Sequence, residues 1–362
     1  LRQALRYSSG ILLQTQNDYA SAAGSFATTP GKINKQEGKT ANPDQTHMKI
    51  RGFHPESVLR DGFRRQNSTD SVNIARVEIA RGPASLLYGV GNFGGVVNYL
   101  VKTPETKPAQ EVTFAVGSYN FLRGTVDATG PVNASGTVAY RLTAALQDTD
   151  SYTDFNSENH FFVSPVIVWR PVKDTELLVD FEYGKQKQGG IGWQDVRAAV
   201  SGFVNDSAGY NGNFLLIPGK DVKTFRWSGP DTYRDSTATN LEIKLTQNFG
   251  ENLHLLAGVN HATFNWDQLD NLAALRTVSE GSNVPAWAIA PVTYAGLNST
   301  QSGVPVGPQP STLSYQWEKQ RQENTHDQVR VELNYDLKLF QNSSKWLRMD
   351  NSFLAGFSYT KE

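Results

Sequence analysis

The chain has 362 residues, with 34 basic against 35 acidic side chains and no cysteine. So balanced a charge gives no global field toward nucleic acid or an anionic membrane surface, and the lack of cysteine excludes disulfides and thiolate metal sites. With 18 Phe, 14 Tyr and 7 Trp, the composition is too aromatic for a disordered chain.

Leu1–Leu13 opens with Leu1, Ala4, Leu5 and Ser8 on one helical face, and Ser8-Ser9-Gly10 stops that helix. Thr15–Asp44 is small and polar and reads as loop. His47–Phe53 and Ser57–Phe63 are two short strand candidates, and Asp61-Gly62 is a turn dipeptide in which positive φ costs little. Arg76–Lys102 then packs many backbone constraints together. It reads as a strand at Arg76–Ala80, a break at Gly82-Pro83, a helical turn at Ala84–Tyr88, a glycine-rich loop and a strand at Val96–Val101.

From Gln110 the texture changes to strict alternation. Leu177, Val179, Phe181 and Tyr183 face away from Glu176, Asp180 and Glu182, and the same rule runs from Val329 to Leu339. Nine strands are predicted, near 110–118, 121–129, 136–148, 159–170, 174–187, 236–249, 252–267, 318–340 and 346–360. In the strand at 252–267, Leu255, Leu256 and His261 blur the register and suggest a bulge. Connections at 130–135, 171–173, 250–251 and 341–345 are short, whereas those at 149–158, 188–235 and 268–317 are longer; the first hairpin, at Tyr119-Asn120, is tight.

No run of about 18 apolar residues occurs, so no transmembrane helix is predicted, but a transmembrane strand needs only about 9–11 alternating residues. Long connections on one side and short ones on the other fit a transmembrane barrel. Soluble sandwiches, solenoids and propellers share the alternation. Strand length and charged polar faces favour the membrane reading, in which Glu182 and Asp336 line a wet lumen.

Gly89–Gly94 matches G-x-G-x-x-G, yet a helical turn precedes it and the β-branched Val96-Val97 follows. A dinucleotide fold needs the reverse. Ser85 lacks a nucleophile elbow, the six histidines lack ligand spacing, and no catalytic constellation is present. Aromatics concentrate in the two longest connections. Trp193, Tyr210, Trp227 and Tyr233 in the first, and Trp287 and Tyr315 in the second, are candidate ligand contacts; packing among the loops and a headgroup belt are the alternatives.

Ile50-Arg51-Gly52-Phe53, Asp61-Gly62, Arg76-Val77-Glu78, Arg81-Gly82-Pro83-Ala84-Ser85, Leu87-Tyr88-Gly89, Gly94-Gly95-Val96-Val97-Asn98 and Lys102-Thr103-Pro104 follow one another in a telling order. Through them the chain resembles TonB-dependent outer-membrane receptors, most nearly the hydroxamate (ferrichrome-type) ferric-siderophore receptors. The resemblance implies a mainly β protein, with an α/β plug at 1–108 and the first nine or so strands of a transmembrane barrel at 109–362. The family barrel has about 22 strands. It further implies TonB-dependent uptake of a ferric siderophore across the bacterial outer membrane, without catalysis, nucleic acid or a resident cofactor; iron arrives only as chelate.

The TonB–ExbB–ExbD complex would engage a TonB box upstream of Leu1, since the chain reads as a segment of something longer. Outer-membrane lipid would surround the wall. Arg51, Gly52, Arg81, Gly82, Pro83, Gly94, Gly95 and Asn98 carry the plug motif, and Arg51 and Arg81 match arginines that pair with barrel glutamates, here expected in strands beyond this chain. Arg51, Arg64, Arg65, Gln66 and Tyr88 are the plug's candidate ligand contacts. Receptors for a corrinoid or oligosaccharide, and an extracellular β-rich binding protein, are the alternatives.

Overall fold

The structure is a computed structural model that describes residues 11–13, 48–50, 58–65, 70–81, 95–191, 197–199, 224, 229–277, 283, 286, 289–292, 309–339 and 349–361. Two short strands, β1 (Ile11–Leu13) and β2 (Met48–Ile50), pair antiparallel. A small four-stranded sheet follows, made of β3 (Val58–Arg60), β4 (Phe63–Arg65), β5 (Ile74–Arg81) and β6 (Gly95–Val101) in the order β4-β3-β6-β5. Asp61 and Gly62 join β3 to β4 with φ of 48° and 88°, the left-handed pair that a two-residue hairpin requires. The sheet's core is Ile74, Val97, Tyr99 and Val101, with Leu59 against Val96.

All nine predicted long strands are present. They are β7 (Ala109–Val116), β8 (Leu122–Pro131), β9 (Val138–Asp150), β10 (Ser157–Trp169), β11 (Thr175–Gly189), β13 (Tyr233–Phe249), β14 (Leu253–Thr277), β16 (Gln309–Leu339) and β17 (Met349–Lys361). Each pairs antiparallel with the next, forming one meander wall. Two three-residue pieces join it from the long connections: β12 (Arg197–Ala199) lies parallel beside β14, and β15 (Ala290–Val292) lies beside β16. Connections at 132–137, 170–174, 250–252 and 340–348 fall at one end of the wall, and those at 117–121, 151–156, 190–232 and 278–308 at the other. The long ones share an end, as expected. Tyr119 and Asn120 make the tight first hairpin, with φ of 59° and 55°.

Two expectations are corrected. No bulge interrupts β14: its pairs run unbroken against β13 from Leu253↔Phe249 to Leu269↔Tyr233, and against β16 from Leu253↔Tyr335 to Thr277↔Ser311. Leu256 simply faces inward, while His261 faces outward and contacts Asp327 at 2.6 Å. Among the described residues the one register shift is at Ile74/Arg76 in the small sheet. The second correction is length. β14 and β16 reach 25 and 31 residues, so Tyr233, Tyr315 and Trp317 lie in strands rather than loops.

The wall is inverted relative to a soluble sheet. Ionic Asp180, Glu182 and Glu242 are buried, while Phe161, Ile167, Trp169, Phe181 and Phe357 stand exposed on the other face. An apolar face turned outward is what lipid requires. The upper limit of this band also gives the wall's tilt. The first polar outward residue is Asn159 on β10, Lys185 on β11, Thr239 on β13, His261 on β14, Asp327 on β16 and Lys361 on β17. Followed through the pairing register, this limit descends three rows, or six residues, across five strand steps. At about 3.3 Å per residue and about 4.8 Å between strands, that slope is a strand tilt of roughly 40°, within the range of transmembrane barrels.

Candidate functional site

The small sheet sits against the inner face of the wall, and the contact is strongly ionic. The Asp61-Gly62 turn folds β3 back on β4 and sends Arg60 and Arg65 toward β11 and β13. The Arg60 guanidinium lies 2.6 Å from Asp180 Oδ2, 3.3 Å from Glu182 Oε2 and 3.6 Å from Glu242 Oε2, with every one of these side chains essentially excluded from solvent. Arg65 forms a second ion pair with both oxygens of Glu182, and Asn73 Nδ2 donates to Glu182 Oε2 at 2.8 Å. Lys244 supports Glu242 at 3.3 Å.

Burial alone would lower the Arg60 pKa, but the facing carboxylates of Asp180, Glu182 and Glu242 hold it above its ordinary value. The carboxylates of Asp61, Asp180 and Glu242 come within 4.8 Å of one another, a spacing suited to a metal ion. Here the compensating cation is supplied by Arg60.

Further contacts extend the seam. Asp70, in the small-sheet unit, accepts a hydrogen bond from Arg123 Nη2 of β8 at 2.7 Å and lies 3.2 Å from His160 Nδ1 of β10. Lys102 Nζ reaches Asp127 Oδ2 at 2.8 Å, and Arg141, which also holds Asp127, donates to the Thr103 carbonyl at 3.0 Å. Phe63 is buried against Gly258 of β14, where an added Cβ would stand 2.8 Å from the ring. On β16, Gln328 and Arg330 bond to the backbone of Arg64 and Gly62. A cavity of about 20 Å³ between Arg65, Glu182, Asn240 and His326 holds one water at most, too little for a chelate at that point.

Asp70 makes the seam acid-sensitive. Desolvation would raise its pKa, but hydrogen bonds from His160 and Arg123, the Arg123 charge and the Val72 amide hold it down to about 2. A folded pKa below the unfolded value means the contribution is complete above about pH 4 and disappears as pH falls through about 2. The shift corresponds to about 2 kcal/mol at neutral pH. Asp70→Asn is therefore expected to lower the small sheet's stability at pH 7 and to flatten its stability profile between pH 4 and 2. Acid titration of denaturant midpoints checks this.

The candidate residues distribute as follows. Arg65 was expected to face a ligand; it is instead buried, with its guanidinium on Glu182. Arg64 is half-buried in β4, with its backbone held by Gln328. Tyr233 opens β13 and donates to Asp267 Oδ1 at 3.3 Å. Tyr315 stands in β16 opposite Ala273. In the motif set, Asn98 Oδ1 accepts from the Gly62 amide at 3.0 Å, Arg81 ends β5 opposite Gly95, and Gly95 has a φ of 139°. Arg51, Gly52, Gln66, Gly82, Pro83, Tyr88, Gly94, Trp193, Tyr210, Trp227 and Trp287 lie outside the described residues, as do the helical stretch before Ile11 and the turn at Ala84–Tyr88.

Arg51 and Arg81 were the arginines expected to pair with wall carboxylates in strands beyond this chain. The side chains of Arg51 and Arg81 lie outside the described residues; among the described residues Arg60 and Arg65 pair with wall carboxylates, on β11 and β13 of this chain. Nor does Glu182 line open water, because the small sheet covers it with Arg60 and Arg65. Sequence reasoning missed Arg60, Asp180 and Glu242 as a set. The available signal was an arginine inside the apolar Val58-Leu59 strand, together with acids on the inner face at mid-strand.

A tilted wall, apolar outside, with a small sheet fastened to its ionic inner face, defines a plug-and-barrel membrane receptor fold. Residues 4–96 match the family model described as the TonB-dependent Receptor Plug Domain. A metal-pseudopaline receptor of Pseudomonas aeruginosa is 37% identical over 34% of this chain and 17% of its own length. The ferrichrome outer membrane transporter and phage receptor of Escherichia coli is 25% identical over 57% of this chain and 26% of its own. The ferripyoverdine receptor structure from Pseudomonas aeruginosa superposes with a TM-score of 0.64 at 18% identity, over 86% of this chain and 37% of that one. The chain thus spans between about a sixth and a quarter of the length of these curated relatives. The resemblance to TonB-dependent receptors is borne out.

Proposed function

We propose that this chain forms the plug and part of the wall of a bacterial outer-membrane receptor that takes up a ferric siderophore, driven by the TonB complex. The observation that carries this reading is the charged seam between plug and wall. An open pore has no use for a stopper, and a permanent stopper would be held better by apolar packing, because buried ion pairs add little net stability. A stopper seated on ion pairs around Arg60 and Arg65 suits a lumen that must be both closed and opened.

The relatives support a metal chelate as the cargo: their names specify ferrichrome, ferrioxamine and ferripyoverdine. A hydroxamate chelate fits best, with iron as cargo rather than a resident cofactor. Arg51, Arg64, Gln66, Tyr88 and the aromatics at 193, 210, 227, 233, 287 and 315 are its proposed contacts. TonB with ExbB and ExbD supplies energy, outer-membrane lipid surrounds the wall, and neither catalysis nor nucleic acid enters. The test is titration of the whole receptor with ferric hydroxamates, ferric catecholates and cobalamin, read by tryptophan fluorescence, with uptake compared in cells with and without TonB. A response to cobalamin alone, or uptake independent of TonB, contradicts the proposal.

A further inference from the structure

Among the described residues β4 is the outer strand of the plug sheet, with β3 on one side and no strand of the sheet on the other. Unpaired edges of this kind need cover, and unsatisfied backbone groups are costly once buried. The cover comes from side chains of β16. The Arg64 amide donates to Gln328 Oε1 at 2.8 Å, and Gln328 Nε2 donates back to the Arg64 carbonyl at 2.8 Å. Two residues along, Arg330 Nη1 donates to the Gly62 carbonyl at 2.9 Å.

The spacing explains why these contacts form a series. In a strand, backbone groups of alternate residues point the same way, and so do alternate side chains. Gly62 and Arg64 therefore match Arg330 and Gln328 in antiparallel order. The φ of 88° at Gly62 favours glycine, and a Cβ there would displace the Arg330 guanidinium from its present position.

The donors and acceptors are also oriented in advance. Gln328 Nε2 lies 3.5 Å from Asn260 Oδ1, and Asn260 Nδ2 donates to Asn240 Oδ1 at 2.8 Å. This relay across β16, β14 and β13 fixes which end of the Gln328 amide meets which backbone group. Arg330 is steadied by its ion pair with Glu332.

We propose that Gln328 and Arg330 form a side-chain ladder that stands in for a fifth strand along β4, with Asn260 as its positioning residue, and that this ladder closes the seam between plug and wall. The proposal rests on reading the wall as a receptor barrel, but not on the identity of the cargo. Because the ladder bonds to backbone, it seats the plug whatever side chain stands at position 64.

The test is hydrogen–deuterium exchange on the whole receptor, paired with conductance in planar bilayers, for wild type, Gln328→Leu, Arg330→Met and Asn260→Ala. The expected result for Gln328→Leu is roughly tenfold faster exchange in the 61–65 segment, wild-type protection at 95–101 and raised basal conductance. Asn260→Ala should give the same pattern more weakly. Unchanged exchange at 61–65 in Gln328→Leu overturns the ladder, and faster exchange with wild-type conductance overturns its sealing role. Should Gln328→Leu lose protection throughout the plug, Asn260→Ala decides: a local rise supports the proposal, and no change refutes it. A wild-type receptor that binds no ferric chelate would sink the proposed cargo and leave these exchange results standing.

Discussion

Arg60→Met is expected to weaken the seating of the plug by about 3–5 kcal/mol, the cost of removing one partner from a buried ionic group. Methionine keeps most of the volume, so the loss reports charge rather than packing. Among the described residues, Asp180, Glu182 and Glu242 would then face one another with Arg65 and Lys244 as the neighbouring cations. Arg60→Lys should cost less but not nothing, because an ammonium cannot reproduce the fork that meets several carboxylates at once. Replacing Arg60, Asp180 and Glu242 together by Met, Leu and Leu should recover much of the stability, since apolar groups of similar volume often replace a buried ion group without loss. Chemical denaturation of the plug within the whole receptor measures all three. Equal stability of wild type and Arg60→Met would mean that the seam is held elsewhere.

Ile243→Arg is the second large effect. Ile243 faces outward on β13, at the centre of the apolar run formed by Leu241, Ile243 and Leu245, between the polar Thr239 and Gln247. An arginine at the mid-depth of a transmembrane barrel costs about 2–4 kcal/mol, and one near the interface about 0–1 kcal/mol. Thr237→Arg, on the same face but above the band, is therefore expected to be almost neutral. Refolding equilibria in lipid vesicles compare the two variants. Equal small losses at both positions would argue that this face meets water.

The parts of the fold set by short-range patterning were readable directly. The nine long strands follow from alternation, because in a membrane wall the apolar and polar faces are both strict. The Asp61-Gly62 turn follows from its chemistry alone. Reading failed where the pattern carries no information about partners. From Glu318 to Gln328 polar residues occupy both faces, so alternation gives no signal there; the predicted strand stopped at 318, whereas β16 continues to Gln309 and pairs with β14 throughout. The apparent blur at Leu255-Leu256 came from supposing that every inward residue is polar; the inward face also meets the plug, where Gly258 lies against Phe63.

The plug–wall seam was the least legible feature. Arg65 and Glu182 are 117 residues apart, as are Gly62 and Arg330 by 268, and nothing local records such a pairing. Arg65 looked like an exposed donor because its strand is short and flanked by polar residues. Only the turn at Asp61-Gly62, which folds β4 against the wall, shows that its guanidinium is committed to Glu182.

A wall that stands in a membrane with the plug on its inner face is tested most directly by labelling along one strand. Single cysteines can be placed along β11 from Leu177 to Lys187, in a chain that has none of its own, within a whole receptor in which any other cysteine is replaced by serine, and labelled in intact outer membranes. One reagent should be a water-soluble maleimide, the other a lipid-soluble one. The expected result is lipid-side labelling at positions 179, 181 and 183, aqueous labelling from 185 upward, and protection from both reagents at 180 and 182 under the plug. Uniform aqueous labelling of 179, 181 and 183 would contradict the account.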